Sequence, residues 1–152
     1  MTQDMTQEIN NPDSNGRRPY SDVIERLRSV GLRPPRPRVG LGKMLLDGRD
    51  RHLTAEKLHA EAQAAAIPVS LATVYNTLHQ FTDAGLLREI AVDASRSYFD
   101  TNTADHHHFF FEETGYLEDI DGDRVAIAEL PEPPAGTRIE RVDIVVRVSG
   151  KT

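Results

Sequence analysis

Cysteine and tryptophan are absent from the 152-residue chain. Without thiols there is no disulfide framework, no thiolate zinc site, no iron–sulfur cluster and no cysteine nucleophile. Any metal must therefore sit on nitrogen and oxygen. Long apolar runs are missing too: none approaches the ~20 residues that cross a bilayer. The polar start MTQDMTQEINNPDSNGRR lacks the apolar region of a signal peptide. A soluble cytoplasmic protein of one to two small domains is expected. Positive charge is also short overall, the net charge being −6, a balance that argues against a nucleic-acid partner. That total conceals an asymmetry, because residues 1–16 carry −3, residues 17–96 carry +4 and residues 97–152 carry −7. The halves point to different partners, although +4 over such a length is also what an ordinary solvated surface carries.

Residues 1–18 have too little apolar surface to fold and read as a disordered tail. From Pro19 the pattern changes. Val23, Ile24, Leu27 and Val30 recur at helical spacing, with Ser21 as an N-cap and Gly31 as a stop, predicting a helix over about 21–30. Pro37 suits the first turn of a second helix over about 36–47, where Leu41, Met44 and Leu45 share a face. Thr54 caps a third helix with Leu58 and Ala62 inward. Ser70 caps LATVYNTLHQFTDAG, in which Leu71, Val74, Leu78 and Phe81 form the packed stripe before Gly85. The tight connection before this last helix describes a helix-turn-helix. LLREIAVDASRSYFD then reads as a hairpin over about 86–91 and 96–100, in the position of a wing. HHHFFFEE and YLEDI read as strands joined at Thr114-Gly115, RIERVDIVVRV as a third, DRVAIAEL as a short helix and PEPPAG as a loop. The expected class is α+β.

With its apolar stripe packed, the last helix turns Ala72, Thr73, Tyr75, Asn76 and His79 outward. Thr and Tyr contact phosphates or thymine methyls, and Asn pairs bidentately with adenine. The same residues also fit the polar face of an ordinary amphipathic helix. The segment RPPRPR adds Arg33, Arg36 and Arg38 on a backbone stiffened by prolines, a form suited to a narrow minor groove. Arg51 and Arg96 extend this basic surface.

Of the six histidines, His52 precedes the third helix, His106, His107 and His108 are adjacent, and His59 and His79 lie on helices. In a strand His106 and His108 point to one side and His107 to the other, so the first two form a chelating pair. Asp100 at the hairpin's exit and Asp119 in the next strand are carboxylates suited to complete a shell for Fe²⁺, Mn²⁺ or Zn²⁺. The plainer alternative is a partly buried strand edge. His59 reads as a helix-surface residue and His79 as at most a phosphate contact. A metalloenzyme built on His106, His108 and an acid needs an open coordination position and a pocket lid that so short a chain does not supply, so no enzyme activity is expected.

The run HLTAEKLHAEAQAAAIPVSLATVYNTLHQFTDAGLLREI resembles the ferric uptake regulator family, whose members carry H-x-[ST]-A-E, then [IV]-[SG]-L-A-T-V-Y-x-[TV]-L and G-[LI]-[LV]. The likeness runs from about Tyr20 to Val148, and GLRPPRPR is similar to the family's G-L-[RK]-x-T-x-x-R. Within the family, TVYNTL, the HHHFF run and the cysteine-free C-terminal half look most like the iron-response regulators of alphaproteobacteria. The resemblance implies a winged-helix DNA-binding domain over 19–100 and an α/β dimerisation and sensing domain over 101–152, acting as a homodimer on A/T-rich operator DNA. It places Ser70, Ala72, Thr73, Tyr75 and Asn76 on the recognition helix, with Asn76 where relatives often carry Arg. Arg33 takes the minor groove, flanked by Arg36 and Arg38, and Arg96 lies on the wing. It implies a regulatory metal site of His52, Asp100, His106, His108 and Asp119 joining the two domains, and haem binding through His106, His107 and His108. The CxxC zinc site of many relatives is replaced by Glu112, Glu113 and Thr114, and no histidine follows Asp119 to build a further site. The implied function is iron- or haem-responsive regulation, as repressor and possible activator, of iron-uptake and haem-metabolism genes. Peroxide sensing by iron-catalysed oxidation of His52 or His106, and Mn- or Zn-responsive repression, are the rival signals on the same fold.

Overall fold

The computed structural model describes residues 20–150, so the tail expected over 1–18 lies outside the described residues. Helix α1, Ser21–Ser29, buries Val23 and Leu27, which lie one turn apart. Ser21, expected as its cap, is instead its first residue, and Tyr20 takes the cap position without a side-chain hydrogen bond. Helix α2, Arg36–Leu45, carries Pro37 in its first turn. It approaches α1 so closely that a Cβ on Gly42 would stand 3.0 Å from Val23 Cγ1. A two-residue strand β1, His52–Leu53, leads into α3, Ala55–Ala64, where Thr54 Oγ1 accepts the Lys57 N–H. Helix α4, Leu71–Asp83, begins the same way, Ser70 Oγ accepting the Thr73 N–H at 3.1 Å. At its far end Gly85 takes φ +84°, which lets the Leu86 N–H reach back to Phe81 O at 2.9 Å.

Leu27, Leu41, Leu45, Leu58, Val74, Leu78 and Phe81 are fully buried between these helices and form the main core. Leu71 is only partly buried, while Thr77, outside the expected stripe, is buried. Strands β2, Arg88–Asp93, and β3, Arg96–Asp100, make an antiparallel hairpin to which β1 adds, in the order β1-β3-β2. The hairpin starts two residues later than expected because Leu86 and Leu87 are drawn into the helical core.

A second sheet holds β4, His106–Phe111, between antiparallel β5, Leu117–Asp121, and parallel β6, Val145–Val148. The helix expected over DRVAIAEL does not form: a 3-10 turn spans Gly122–Arg124 and no helix or strand follows until β6. Val125 and Ile127 are β-branched and Pro131 closes the segment, so local preference for a helix is weak. The third strand likewise shortens from RIERVDIVVRV to Val145–Val148.

The two sheets share a second apolar cluster, in which Ile90 and Val92 of the hairpin pack with Phe110 and Leu117, flanked by Tyr98 and Val145. Polar ties reinforce it. The Tyr98 hydroxyl donates to Gly115 O at 2.5 Å, and Arg147 donates to Val92 O. Buried Arg88 donates to Ala104 O at 2.6 Å and to Asp143 at 2.5 Å, and its Nε finds no hydrogen-bond partner among the described residues. The hairpin therefore belongs to both halves of the molecule. Burial pushes the Asp143 carboxyl up, but the guanidinium groups of Arg141 and Arg88 outweigh it and hold it below the ordinary 3.8. A carboxyl whose folded pKa is depressed stabilises fully above its unfolded value and loses that contribution as pH falls through the folded one. Asp143→Asn should thus be destabilised relative to wild type at pH 7. The deficit should shrink once pH drops below 3.8, which urea titrations at pH 7 and in that acid range would check.

Candidate functional site

Strand pairing brings together residues far apart in the chain. β1 sets His52 opposite Asp100, and β4 sets His108 opposite Asp119. Because alternate residues share a face, His106 joins His108 on that side. Asp100 Oδ2 lies 2.8 Å from His106 Nε2 and 3.0 Å from His108 Nε2. Asp119 Oδ1 lies 3.3 Å from His108 Nε2, 3.5 Å from His52 Nε2 and 3.7 Å from His106 Nε2. One ligand atom from each of Asp100, His106, His108 and Asp119 falls within 4.8 Å of all the others. Donors bound about 2.1 Å from one ion stand roughly 3–4 Å apart, so this nitrogen and oxygen set fits a divalent metal with small adjustments.

The site is walled on one side and open on the other. Asp100, His106 and His108 are almost wholly buried, whereas 42% of the Asp119 side chain is exposed. A cleft of about 760 Å³ lined by His52, Lys57, Tyr98, Tyr116 and Asp119 gives access from that side. His106 also directs Nδ1 at Ala104 O, 2.6 Å away. Facing a carbonyl with one nitrogen and a carboxylate with the other, it has acceptors for protons on both. Burial alone lowers the His106 pKa, but these bonds and the charges of Asp100 and Asp119 outweigh it and raise it above 6.5. Burial pushes Asp100 up, and hydrogen bonds from His108, the Asn102 N–H and His106 hold it below 3.8. His106 would offer Nε2 to a metal held here, and its Nδ1 bond to Ala104 O would fix the ring orientation and tautomer.

His107 faces away, its Nδ1 accepting the Ile144 N–H at 3.1 Å. With His106 it lines a second cavity of about 670 Å³, whose other walls include Arg88, Arg141, Val125, Ile127, Val142 and the carboxylates of Asp105, Asp121, Asp123 and Glu140.

On α4, Ala72, Tyr75, Asn76 and His79 are exposed with Ser70, and Thr73 is half-buried. Arg33, in the segment before α2, and Arg36, its first residue, are exposed. Three further basic residues expected on this surface also have partners within the chain. Arg38 donates to Arg33 O and to Gln80 of α4, both at 2.5 Å. Arg51 pairs with Glu61 at 2.7 Å. Arg96 pairs with Asp93 and lies over the Phe110 ring, 4.7 Å from its centroid. Each is where an acceptor or ring lies within reach of a turn, a partner that composition does not reveal. His59, expected on the surface, is half-buried and bonds through Nε2 to Val69 O, pinning the loop before α4. Two residues escaped the sequence reading. Arg88 carried one signal, a lone cation inside the apolar LLREIAV, and Glu56 carried none beyond its place in the third helix.

Residues 29–145 match the ferric uptake regulator family. The chain belongs to that family. It is 32% identical over 99 residues to the peroxide-responsive repressor PerR of Staphylococcus epidermidis, covering 65% of each chain. It is 36% identical over 87 residues to the ferric uptake regulation protein of Bordetella parapertussis, covering 57% of this chain and 62% of that one. The match thus spans somewhat less than two thirds of these curated relatives. Among solved structures, the ferric uptake regulator from Pseudomonas aeruginosa with manganese is 27% identical with a TM-score of 0.63, over 84% of this chain and 97% of that one. The Vibrio cholerae ferric uptake regulator, 19% identical with a TM-score of 0.65 over 84% and 98%, shares the fold.

Proposed function

We propose that this family member is a metal-responsive DNA-binding transcription regulator, working as a homodimer, in which ligand occupancy sets the spacing of two DNA-reading helices. On this reading residues 19–100 form a winged-helix unit, with α4 in the major groove through Ala72, Thr73, Tyr75 and Asn76. Ser70 and Arg36 lie at the phosphates and Arg33 in an A/T-rich minor groove. Residues 101–152 form the dimerisation and sensing unit. The observation that carries it is the convergence of His52, Asp100, His106, His108 and Asp119, because these come from both units. An ion held there pins β1 and β3 to β4 and β5. Half-sites one helical turn apart, roughly 34–36 Å, need such fixed separation. Arg38 on α2 and Arg96 on the wing extend this DNA-facing surface while also bonding to Gln80 and Asp93, and Arg51 is paired with Glu61.

The HHH run and the cysteine-free C-terminal half support placing the chain with the iron-response regulators that sense iron or haem. Haem fits the far face better than the metal face. His106 and His108 are already turned on Asp100, whereas His107 offers Nε2 as an axial donor beside a cavity in which Val125, Ile127 and Val142 are apolar, Arg88 and Arg141 could face the propionates, and Asp105, Asp121, Asp123 and Glu140 oppose them. Fluorescence anisotropy on an A/T-rich inverted-repeat duplex, titrated with Mn²⁺, Fe²⁺, Zn²⁺ and haem, tests both readings. Binding should strengthen or weaken by at least about tenfold with one ligand and fall steeply with salt. Absence of binding under every condition removes the regulator reading. An unchanged haem spectrum in His107→Ala removes the haem one.

A second signal is favoured by the likeness to peroxide-responsive repressors. Fe²⁺ with peroxide would then add an oxygen atom to His52 or His106, and mass spectrometry of those peptides separates this irreversible signal from reversible haem binding.

A further inference from the structure

Tyr75 stands on the exposed face of α4, yet its hydroxyl is already spoken for: it donates to Glu56 Oε2 at 2.7 Å, in the first turn of α3. Glu56 is itself exposed, so a carboxylate lies on the same surface as the residues assigned above to DNA. A negative charge there opposes binding to every phosphate backbone, whatever its sequence. The pair is held by rigid parts, since Thr54 and Ser70 cap the two helices and Leu58, Ala62, Val74 and Leu78 bury their contact. The bond lowers the Glu56 carboxyl and raises the Tyr75 phenol, so at neutral pH a carboxylate faces an intact O–H.

Resting on the DNA-binding reading, we propose that Glu56 is a specificity-determining residue, which holds the Tyr75 hydroxyl away from phosphates and penalises DNA that offers Tyr75 no base contact. A free phenol O–H is a donor that any phosphate accepts, and such contacts carry no sequence information. Once the hydroxyl is engaged, the ring is left to make apolar contact with base edges, which distinguishes bases. Affinity for arbitrary DNA falls and discrimination rises, both from one hydrogen bond.

The test uses the full chain with Mn²⁺, a duplex that the wild type selects from a random library, and a scrambled duplex of the same composition. Glu56→Ala should bind the scrambled duplex about fivefold more tightly, the effect of one surface charge near phosphate. It should gain nothing on the selected one, where the free hydroxyl misdirects the ring, so discrimination drops about fivefold or more. Glu56→Gln, which keeps an acceptor for Tyr75 without the charge, should tighten both duplexes and retain most discrimination. Placed on a Tyr75→Ala background, Glu56→Ala should tighten both duplexes alike, because no ring remains to be aimed. A structural role alone would weaken both duplexes together in Glu56→Ala, and that result, or unchanged discrimination, overturns the proposal while leaving the DNA reading intact. If the wild type selects no duplex, or Tyr75→Ala leaves discrimination untouched, the assignment of α4 to DNA fails and the proposal falls with it.

Discussion

His108→Ala should weaken Mn²⁺ or Zn²⁺ binding by about 100-fold or more, at the top of the range seen even for outer-shell partners. His108 is central to the cluster: its Nε2 lies within 3.0 Å of Asp100 and 3.3 Å of Asp119, and its ring meets those of His106 and His52. His59→Ala, which alters a histidine bonded to Val69 O outside the cluster, should leave that affinity unchanged. The pH dependence has opposite signs with and without metal. The raised pKa of His106 means that its pairing with Asp100 stabilises the metal-free fold fully below 6.5 and is lost as pH rises through the folded value. A metal requires the neutral imidazole and displaces the proton, so its affinity rises over the same interval. Thermal unfolding from pH 6 to pH 8.5 should show stability falling without metal and holding or rising with saturating Mn²⁺. Parallel curves, or equal metal affinity in His108→Ala and wild type by isothermal titration, would sink the assignment of this cluster to a metal.

Much of this site is legible from local chain chemistry, because strand alternation is a strict rule. His106 and His108 converge and His107 diverges for that reason alone, and the capping chemistry of Thr54 and Ser70 fixes where α3 and α4 begin. What stays hidden depends on partners distant in sequence. Arg96 has the composition of a nucleic-acid contact, and only the docking of the hairpin on β4 places it over Phe110. Arg88 in LLREIAV gives no hint that its counter-charge is Asp143, fifty-five residues on. The segment after Asp121 has the apolar spacing of a helix, but spacing carries no information on what covers those residues. In the fold, Ile127 and Leu130 are exposed and the segment forms no helix or strand.

Phe110→Ala should cost about 3–5 kcal/mol, the usual range for emptying the site of a buried aromatic ring. Phe110 has no exposed surface, and its ring is covered by the guanidinium groups of Arg96 and Arg147 at 4.7 and 5.5 Å. Each such contact adds about 0.5–1 kcal/mol. The residue is also the point at which Ile90 and Val92 of the hairpin meet Leu117 of the second sheet, so the loss falls on the junction rather than on the helical core. The helical core, built from a separate set of residues, should keep its own stability. Calorimetry should then resolve one transition in the wild type and two in the variant, the lower belonging to the second sheet. Metal affinity should drop as well, although Phe110 is no ligand, because Asp100 ends the hairpin while His106, His108 and Asp119 ride on the sheet. Saturating Mn²⁺ should in turn recover part of the lost stability by tying those strands together again. If Phe110→Ala melts early yet binds Mn²⁺ as tightly as wild type, the ligands are held in register without the apolar junction, and coupling between the two halves must run through the polar ties of Arg88, Tyr98 and Arg147.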